Sequence, residues 1–314
     1  MTCSSEISKT SNIRIVGCDG GDVHPIHGED AGTTGVKLLK GGLRDLFEAP
    51  IRQIERTPVK MDGGVLRAVK TAIMEPVITV GISRKLVNEE FGVVDGAFRE
   101  AFSFELDPYY EQSKLARIEW ETEESTRWIE VVLAPGQSYD ADLVPHEHGS
   151  WIWEIHLKAY DPFWHEEEGK PAFAEFTTPG TKTLKVSNPT GVDMAPTWVT
   201  TRGQVRLPDN TWTGKPWNRA PGGAYPTRTL LYPNITNAMG GLVATAEPGK
   251  VPVRDAFDHN LTGQMPVQGD FPKNLIPRFT QRQDLTVQAV QVPAGGMRVE
   301  CRQPRRFRKP WGRV

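Results

Sequence analysis

A mostly β protein in two domains is the fold the sequence predicts, and three observations predict it. The chain has 314 residues, which is long for a single hydrophobic core. It carries 25 prolines and 30 glycines, a turn-rich load that favours short strands over long helices. Its apolar side chains recur mostly at every second residue, the period of a half-buried strand.

The elements follow in order. Ile13–Gly17 and Val36–Leu39 read as short strands around a polar stretch holding Gly28, Gly32 and Gly35. Phe47–Arg56 contains the alternating run Ala49-Pro50-Ile51-Arg52-Gln53-Ile54, a strand pattern. Pro58–Leu66, with Gly63-Gly64, reads as a loop, and the β-branched run Pro76–Ile82 as a strand. Asn88–Phe102 is the best helix candidate. Phe91, Val94, Phe98 and Phe102 recur at three- and four-residue steps and share one face. Gly92 and Gly96 each weaken that helix by roughly 1 kcal/mol relative to Ala, so packing must hold it.

Ala116–Glu121, Thr126–Leu133 and Trp151–Ala159 alternate strictly and suggest a meander. The charged run His165–Lys170, ended by Pro171, marks a domain boundary near 165–171. Beyond it the expected strands are Phe173–Thr177, Thr183–Ser187, Thr197–Gln204, Arg228–Tyr232, Leu242–Thr245, Asp284–Val292 and Met297–Gln303. Pro or Gly stands at nearly every gap, the spacing of a β-sandwich. Val251–Arg278 is less regular. The organisation expected is a flexible N-terminus (1–12), a first domain (13–168), a second domain (169–296) and a basic C-terminal tail (297–314).

The net charge is −2, which points to neither nucleic acid nor an acidic membrane as partner. The tail is the exception, with Arg298, Arg302, Arg305, Arg306, Arg308, Lys309 and Arg313 against Glu300. The interleaved Phe307, Pro310 and Trp311 suit docking on a protein surface better than a free nucleic-acid arm. Cys3, Cys18 and Cys301 have no CxxC spacing, which speaks against a disulfide framework or a zinc site. No apolar run approaches a membrane span, and the polar start is not a secretory signal.

Candidate chemistry is sparse. His146-Glu147-His148 would need a third metal ligand from His156 or His165, lacks HExxH spacing, and reads as a solvated loop. Glu166, Glu167 and Glu168 are adjacent, so they cannot flank a glycosidic bond across a cleft. There is no phosphate-binding loop and no GxSxG elbow, and His24 and His27 do not make a dyad with Cys18 by adjacency. No catalytic, metal or cofactor-binding residues are predicted, and no cofactor. Nine tryptophans remain. Most belong in a core or a subunit contact. Trp198, Trp212 and Trp217 lie in the second half, where a glycan-binding module could use Trp212, Trp217 or Tyr225 as stacking platforms.

Several segments together resemble one family. Ala159-Tyr160-Asp161-Pro162-Phe163-Trp164 is similar to the end of the first domain in phage distal tail (Dit) proteins. Val186-Ser187-Asn188-Pro189-Thr190-Gly191, continued by Met194 and Trp198, resembles the strand and turn that open their second domain. Leu207-Pro208-Asp209 with Trp212-Thr213-Gly214 resembles a loop in minor tail proteins of actinobacterial phages. So does the close, Pro293-Ala294-Gly295-Gly296, Gln303-Pro304-Arg305-Arg306 and Pro310-Trp311-Gly312. The stretch around Phe98–Leu106 fits the same pattern. The resemblance runs in order along nearly the whole chain and is weakest over the first 30 residues.

The resemblance implies a first β-sandwich with one helix, associating into a hexameric ring between tail tube and tail tip or baseplate. It also implies a second β-sandwich of galectin-like or jelly-roll type facing outward. The partners implied are further copies of the chain, the tail tube protein and the tail-tip hub, with a host-surface glycan as the alternative. The place implied is the virion, after synthesis in the host cytoplasm, and the role is structural, serving attachment and DNA delivery.

Overall fold

A computed structural model describes residues 11–57, 62–137 and 144–312. The chain divides into two compact units, one of residues 1–166 with 308–313 and one of residues 167–307.

The first unit is built from antiparallel strands. They are β1 (Asn12–Val16), β2 (Val23–His27), β3 (Val36–Arg44), β4 (Ile51–Arg56), β5 (Val65–Thr71), β6 (Val77–Ser83), β7 (Ala116–Glu121), β8 (Thr126–Leu133), β9 (Ser150–Lys158) and β10 (Trp164–Glu166). The main path runs β2-β1-β7-β8-β9-β6-β3, with β10 on β8. β8 turns the corner: Thr126–Val131 pair with β7, and Val132 and Leu133 pair with β9. Period two explains the layers, because Ile13, Ile15, Ile118, Ile78, Val80 and Ile155 are all buried while their neighbours face outward.

The helix α1 (Phe91–Glu100) lies within the predicted Asn88–Phe102 and buries Phe91, Val94 and Phe98. The Phe98 ring meets Phe102 at 5.4 Å and Trp153 at 5.8 Å, both edge-on, so aromatic packing offsets the two helix glycines. Gly35, at φ 80°, sits so close to Val94 that a Cβ there would collide with it.

Three expectations are corrected in this unit. Asn12, assigned to a flexible start, is in β1 and pairs with Glu121 of β7; residues 1–10 lie outside the described residues. Of the loop expected over Pro58–Leu66, Val65 and Leu66 instead begin β5, paired with Arg56 and Glu55, and residues 58–61 lie outside the described residues. The linker expected from His165 starts later, because His165 pairs with Trp128 and Glu166 with Arg127 after the buried Trp164 draws the chain onto β8.

The second unit contains β11 (Ala172–Phe176), β12 (Gly180–Asn188), β13 (Thr197–Thr200), β14 (Gln204–Pro208), β15 (Trp212–Thr213), β16 (Ala220–Pro221), β17 (Thr229–Leu231), β18 (Leu242–Thr245), β19 (Val253–Asp255), β20 (Thr280–Gln291) and β21 (Met297–Arg302). Two antiparallel sheets, β11-β21-β13-β18-β19 and β12-β20-β14-β17, enclose one core, the sandwich expected from the strand spacing. Both contribute to it, through Trp198, Leu242 and Val299 from one and Leu207, Leu230 and Val287 from the other.

The predicted strand Thr197–Gln204 is two strands. Gly203, at φ 113°, turns the chain between them, and a side chain there would strike the Gln291 carbonyl. The expected strand Met297–Gln303 runs Met297–Arg302 as a central strand between β11 and β13, so the basic tail, drawn from residue 297, begins only after it. Its Met297, Val299 and Cys301 face the core, while its charged residues take the alternate positions.

Candidate functional site

Pro145–His148 forms a single helical turn, α2, ended by Gly149 in the left-handed conformation. His146 and His148 are exposed, and the His146 ring lies edge-on to Phe91 at 5.4 Å. His156 Nε2 is 3.3 Å from Glu154, while His165 Nε2 is 3.2 Å from Asp161, its ring stacked on Trp128. Among the described residues no group of three or more His, Cys, Asp or Glu could hold a metal ion.

The cysteine reading resolves the same way. Cys18 donates to the Glu100 carbonyl at 3.5 Å, and burial raises its thiol pKa. His24 is buried edge-on against Phe98 at 5.1 Å, and burial lowers its pKa; His27 is exposed. Cys301 is a core residue whose thiol burial pushes up strongly. Cys18 and Cys301 are both free, and Cys3 lies outside the described residues. Glu167 and Glu168 are exposed side by side.

The aromatic residues divide. Trp198 is core, and Trp212 packs half-buried against it. Trp217 keeps 44% of its surface exposed, holds φ 67°, and lies against Phe279 with ring centroids 5.3 Å apart. Tyr225 is 60% exposed. The loop they share is held from beneath. Arg228 bridges Asp209 and Asp270, and Asp209 Oδ1 accepts the backbone N–H of Asn274 at 2.9 Å. A cavity of about 20 Å³ beneath Trp212, lined by Asp209 and Asn274, is water-sized rather than sugar-sized.

The C-terminal residues from Arg308 onward return to the first unit. Arg127, buried on β8, donates to the carbonyls of Lys309 and Gly312, and Trp311 packs on Trp120 at 5.3 Å and Phe47 at 5.6 Å. The docking expected of Trp311 therefore occurs on the chain's own first unit. Arg313 lies outside the described residues.

The least satisfied surface is the β4–β5 ribbon. Among the described residues its strands pair only with each other, from Ile51↔Thr71 to Arg56↔Val65. Every β4 residue is exposed, and so is all of β5 except the half-buried Thr71. Leu66 is 53% exposed, and Ile51, Ile54, Val65 and Val69 are exposed with it. A lone two-stranded ribbon is marginal in water, and its outer edges carry unpaired backbone donors and acceptors. Sequence reasoning found the Ile51–Ile54 alternation but assigned it a buried face that this chain by itself does not supply.

No protein-family model matches the sequence, and no curated protein matches it. Solved structures do. The SPP1 Dit protein, described as a paradigm of hub adsorption apparatus in phages that infect Gram-positive hosts, gives a TM-score of 0.53 at 12% identity. The match covers 94% of this chain and 99% of that chain. The phage P2 baseplate in its activated conformation with Ca gives a TM-score of 0.47 at 9% identity, over 95% and 98% of the two chains. The first of these likenesses shows the fold: both units, in order, share the architecture of the SPP1 Dit protein.

Proposed function

We propose that this protein is a structural, non-catalytic subunit of a phage tail. It assembles into a ring, hexameric by resemblance, that joins the tail tube to the tip or baseplate during host attachment and DNA delivery. The exposed β4–β5 ribbon carries the proposal, and the shared Dit fold supports it.

A ribbon with apolar side chains on both faces and two open edges is suited to a second copy of the chain. A heterologous contact repeated by rotation closes without leaving an unpaired edge. Full burial of an aliphatic side chain is worth roughly 1.5–3 kcal/mol, and these five are about half exposed. Each then stabilises a neighbour contact by about 1 kcal/mol, enough to anchor an interface but not to complete one. The tail tube protein and the tip hub are the proposed further partners.

Light scattering on the purified chain tests the reading. The expected mass is a closed multiple of 35.0 kDa, sixfold by resemblance. A chain that stays monomeric at high concentration, and also fails to bind tube or hub proteins, overturns it.

A further inference from the structure

The outer face of the β11-β21-β13-β18-β19 sheet holds a cleft that the ring proposal does not use. It measures about 270 Å³, near the lower end of the ~300–1,000 Å³ range of ligand pockets. The half-buried Val199 and Val243 floor it, with Thr200, Thr201, Gly240, Gly241 and Ala256 around them.

Along one side runs a row of charged residues. Arg298, Glu300 and Arg302 alternate on β21, so all three side chains project from the same face, about 7 Å apart. Glu300 Oε1 accepts from Arg298 Nε at 2.7 Å. Arg298 also reaches Glu175 at 3.4 Å, and its guanidinium lies 4.0 Å from the centroid of the Phe173 ring, which fixes its plane. Glu300 Oε2 is 4.0 Å from Arg302 Nε, an ion pair too long for a hydrogen bond, and the Arg302 side chain is exposed. Thr201 Oγ1 is occupied by the Arg298 backbone N–H at 2.9 Å, which ties the turn to the strand.

Phe257, 62% exposed, follows the cleft-lining Ala256, its ring 6.3 Å from that of His259. A side chain on Gly240 would come within 3.3 Å of the Phe257 ring, and Gly241 crowds the Thr200 carbonyl. Both glycines line the cleft, and Gly240 brings the Phe257 ring to its rim.

We infer that this cleft binds a neutral sugar ring, stacked on Phe257 and hydrogen-bonded by the Arg298-Glu300-Arg302 row. The two arginines are matched by Glu175 and Glu300, so the face has no net charge with which to attract an ionic ligand. It offers alternating donors and acceptors instead, which suit hydroxyl groups that both give and accept hydrogen bonds. The valine floor and the Phe257 ring take the C–H face of a pyranose. Sugar binding here is independent of ring assembly, since none of these residues belongs to the β4–β5 ribbon.

Saturation-transfer NMR on the full chain, with glucose, galactose, mannose, rhamnose and N-acetylglucosamine presented separately, tests the inference. At least one sugar receives saturation. Phe257→Ala and Arg302→Ala, both at exposed side chains, each weaken that binding about tenfold or more. Trp217→Ala leaves it unchanged. Transfer to none of the sugars overturns the inference, as does binding that survives either cleft variant. Loss of binding on Trp217→Ala also overturns it, because the platform would then be the Trp217 loop.

Discussion

The indole N–H of Trp151 donates to Oδ1 of Asp95 at 3.1 Å, while Oδ2 of the same carboxylate accepts from Arg99 at 2.7 Å. One carboxylate thus joins the exposed side of α1 to β9, and the Arg99 guanidinium covers the Trp151 and Trp153 rings at 5.0 and 4.8 Å. Trp151→Phe keeps the ring contact and removes the donor. A hydrogen bond to a charged group contributes about 1.5–3 kcal/mol, reduced here by partial exposure. The expected loss is about 1 kcal/mol in the unfolding transition of the first unit, read by urea titration.

His24 makes that unit sensitive to acid. Its folded-state pKa is lowered by burial against the ordinary value of 6.5, so below 6.5 the unfolded chain binds more protons than the folded one. Stability is full above the unfolded value and falls as pH drops below it, until the folded pKa is passed. Thermal stability of the wild type should therefore decline as pH drops below about 6.5, with a flatter profile in His24→Phe. Identical pH profiles for the two proteins would remove His24 as the source.

Assembly should depend on the ribbon, and folding should not. Ile54→Lys with Val69→Lys places two charges on exposed positions. Such surface changes usually stay within about 0.5 kcal/mol of neutral. The expected result is unchanged thermal unfolding of the monomer with loss of the higher assembly in light scattering. An intact assembly would exclude the ribbon from the interface.

The second sandwich depends on a buried amide. Asn188 donates to the carbonyls of Val192 at 2.9 Å and Ile276 at 3.0 Å and accepts the Thr190 hydroxyl at 2.9 Å. Asn188→Ala removes these bonds and leaves the buried Thr190 backbone N–H without its acceptor, at about 1–3 kcal/mol, while the Val192 and Ile276 carbonyls keep the Thr190 hydroxyl and the Met194 N–H. A loss of about 3 kcal/mol in the unfolding of the second unit is expected by urea titration. A loss below about 1 kcal/mol would mean that water replaces the amide.

Cys301 should resist thiol reagents. It is wholly buried between β11 and β13, and burial pushes its thiol well above the usual range. Because the thiolate is the reactive form, labelling should occur only on unfolding. Peptide mapping after native treatment would show Cys301 unmodified, whereas rapid native labelling would contradict its placement.

Strands with one face buried in the chain's own core were legible in the sequence. Ala116–Glu121, Thr126–Leu133 and Leu242–Thr245 end where alternation predicted, because the period of their side chains is the period of their burial. Burial by a partner obeys the same pattern, and so Ile51–Ile54 looked half-buried although both faces of its ribbon are exposed. The β21 cleft was not legible: Met297–Gln303 was expected as a strand, but not which neighbouring strands would share the face of Arg298, Glu300 and Arg302. Phe257, in a stretch read as irregular, carried no signal, since its closeness to Gly240 arises from the pairing of β18 with β19.

The sequence by itself determined a mostly β chain of two sandwiches, the positions of most strands and the helix, and the lack of any motif for catalysis. Those properties are local: turn residues, side-chain period and motif spacing all act over a few neighbouring residues. The tertiary structure decided which strands pair across long loops, such as β1 with β7 and β6 with β9, and that the last residues return to Arg127. It also decided which charged row faces an open cleft and which apolar ribbon is left uncovered. Pairing and exposure depend on closing loops around a shared core, and that free energy belongs to the assembled sheets rather than to any single segment.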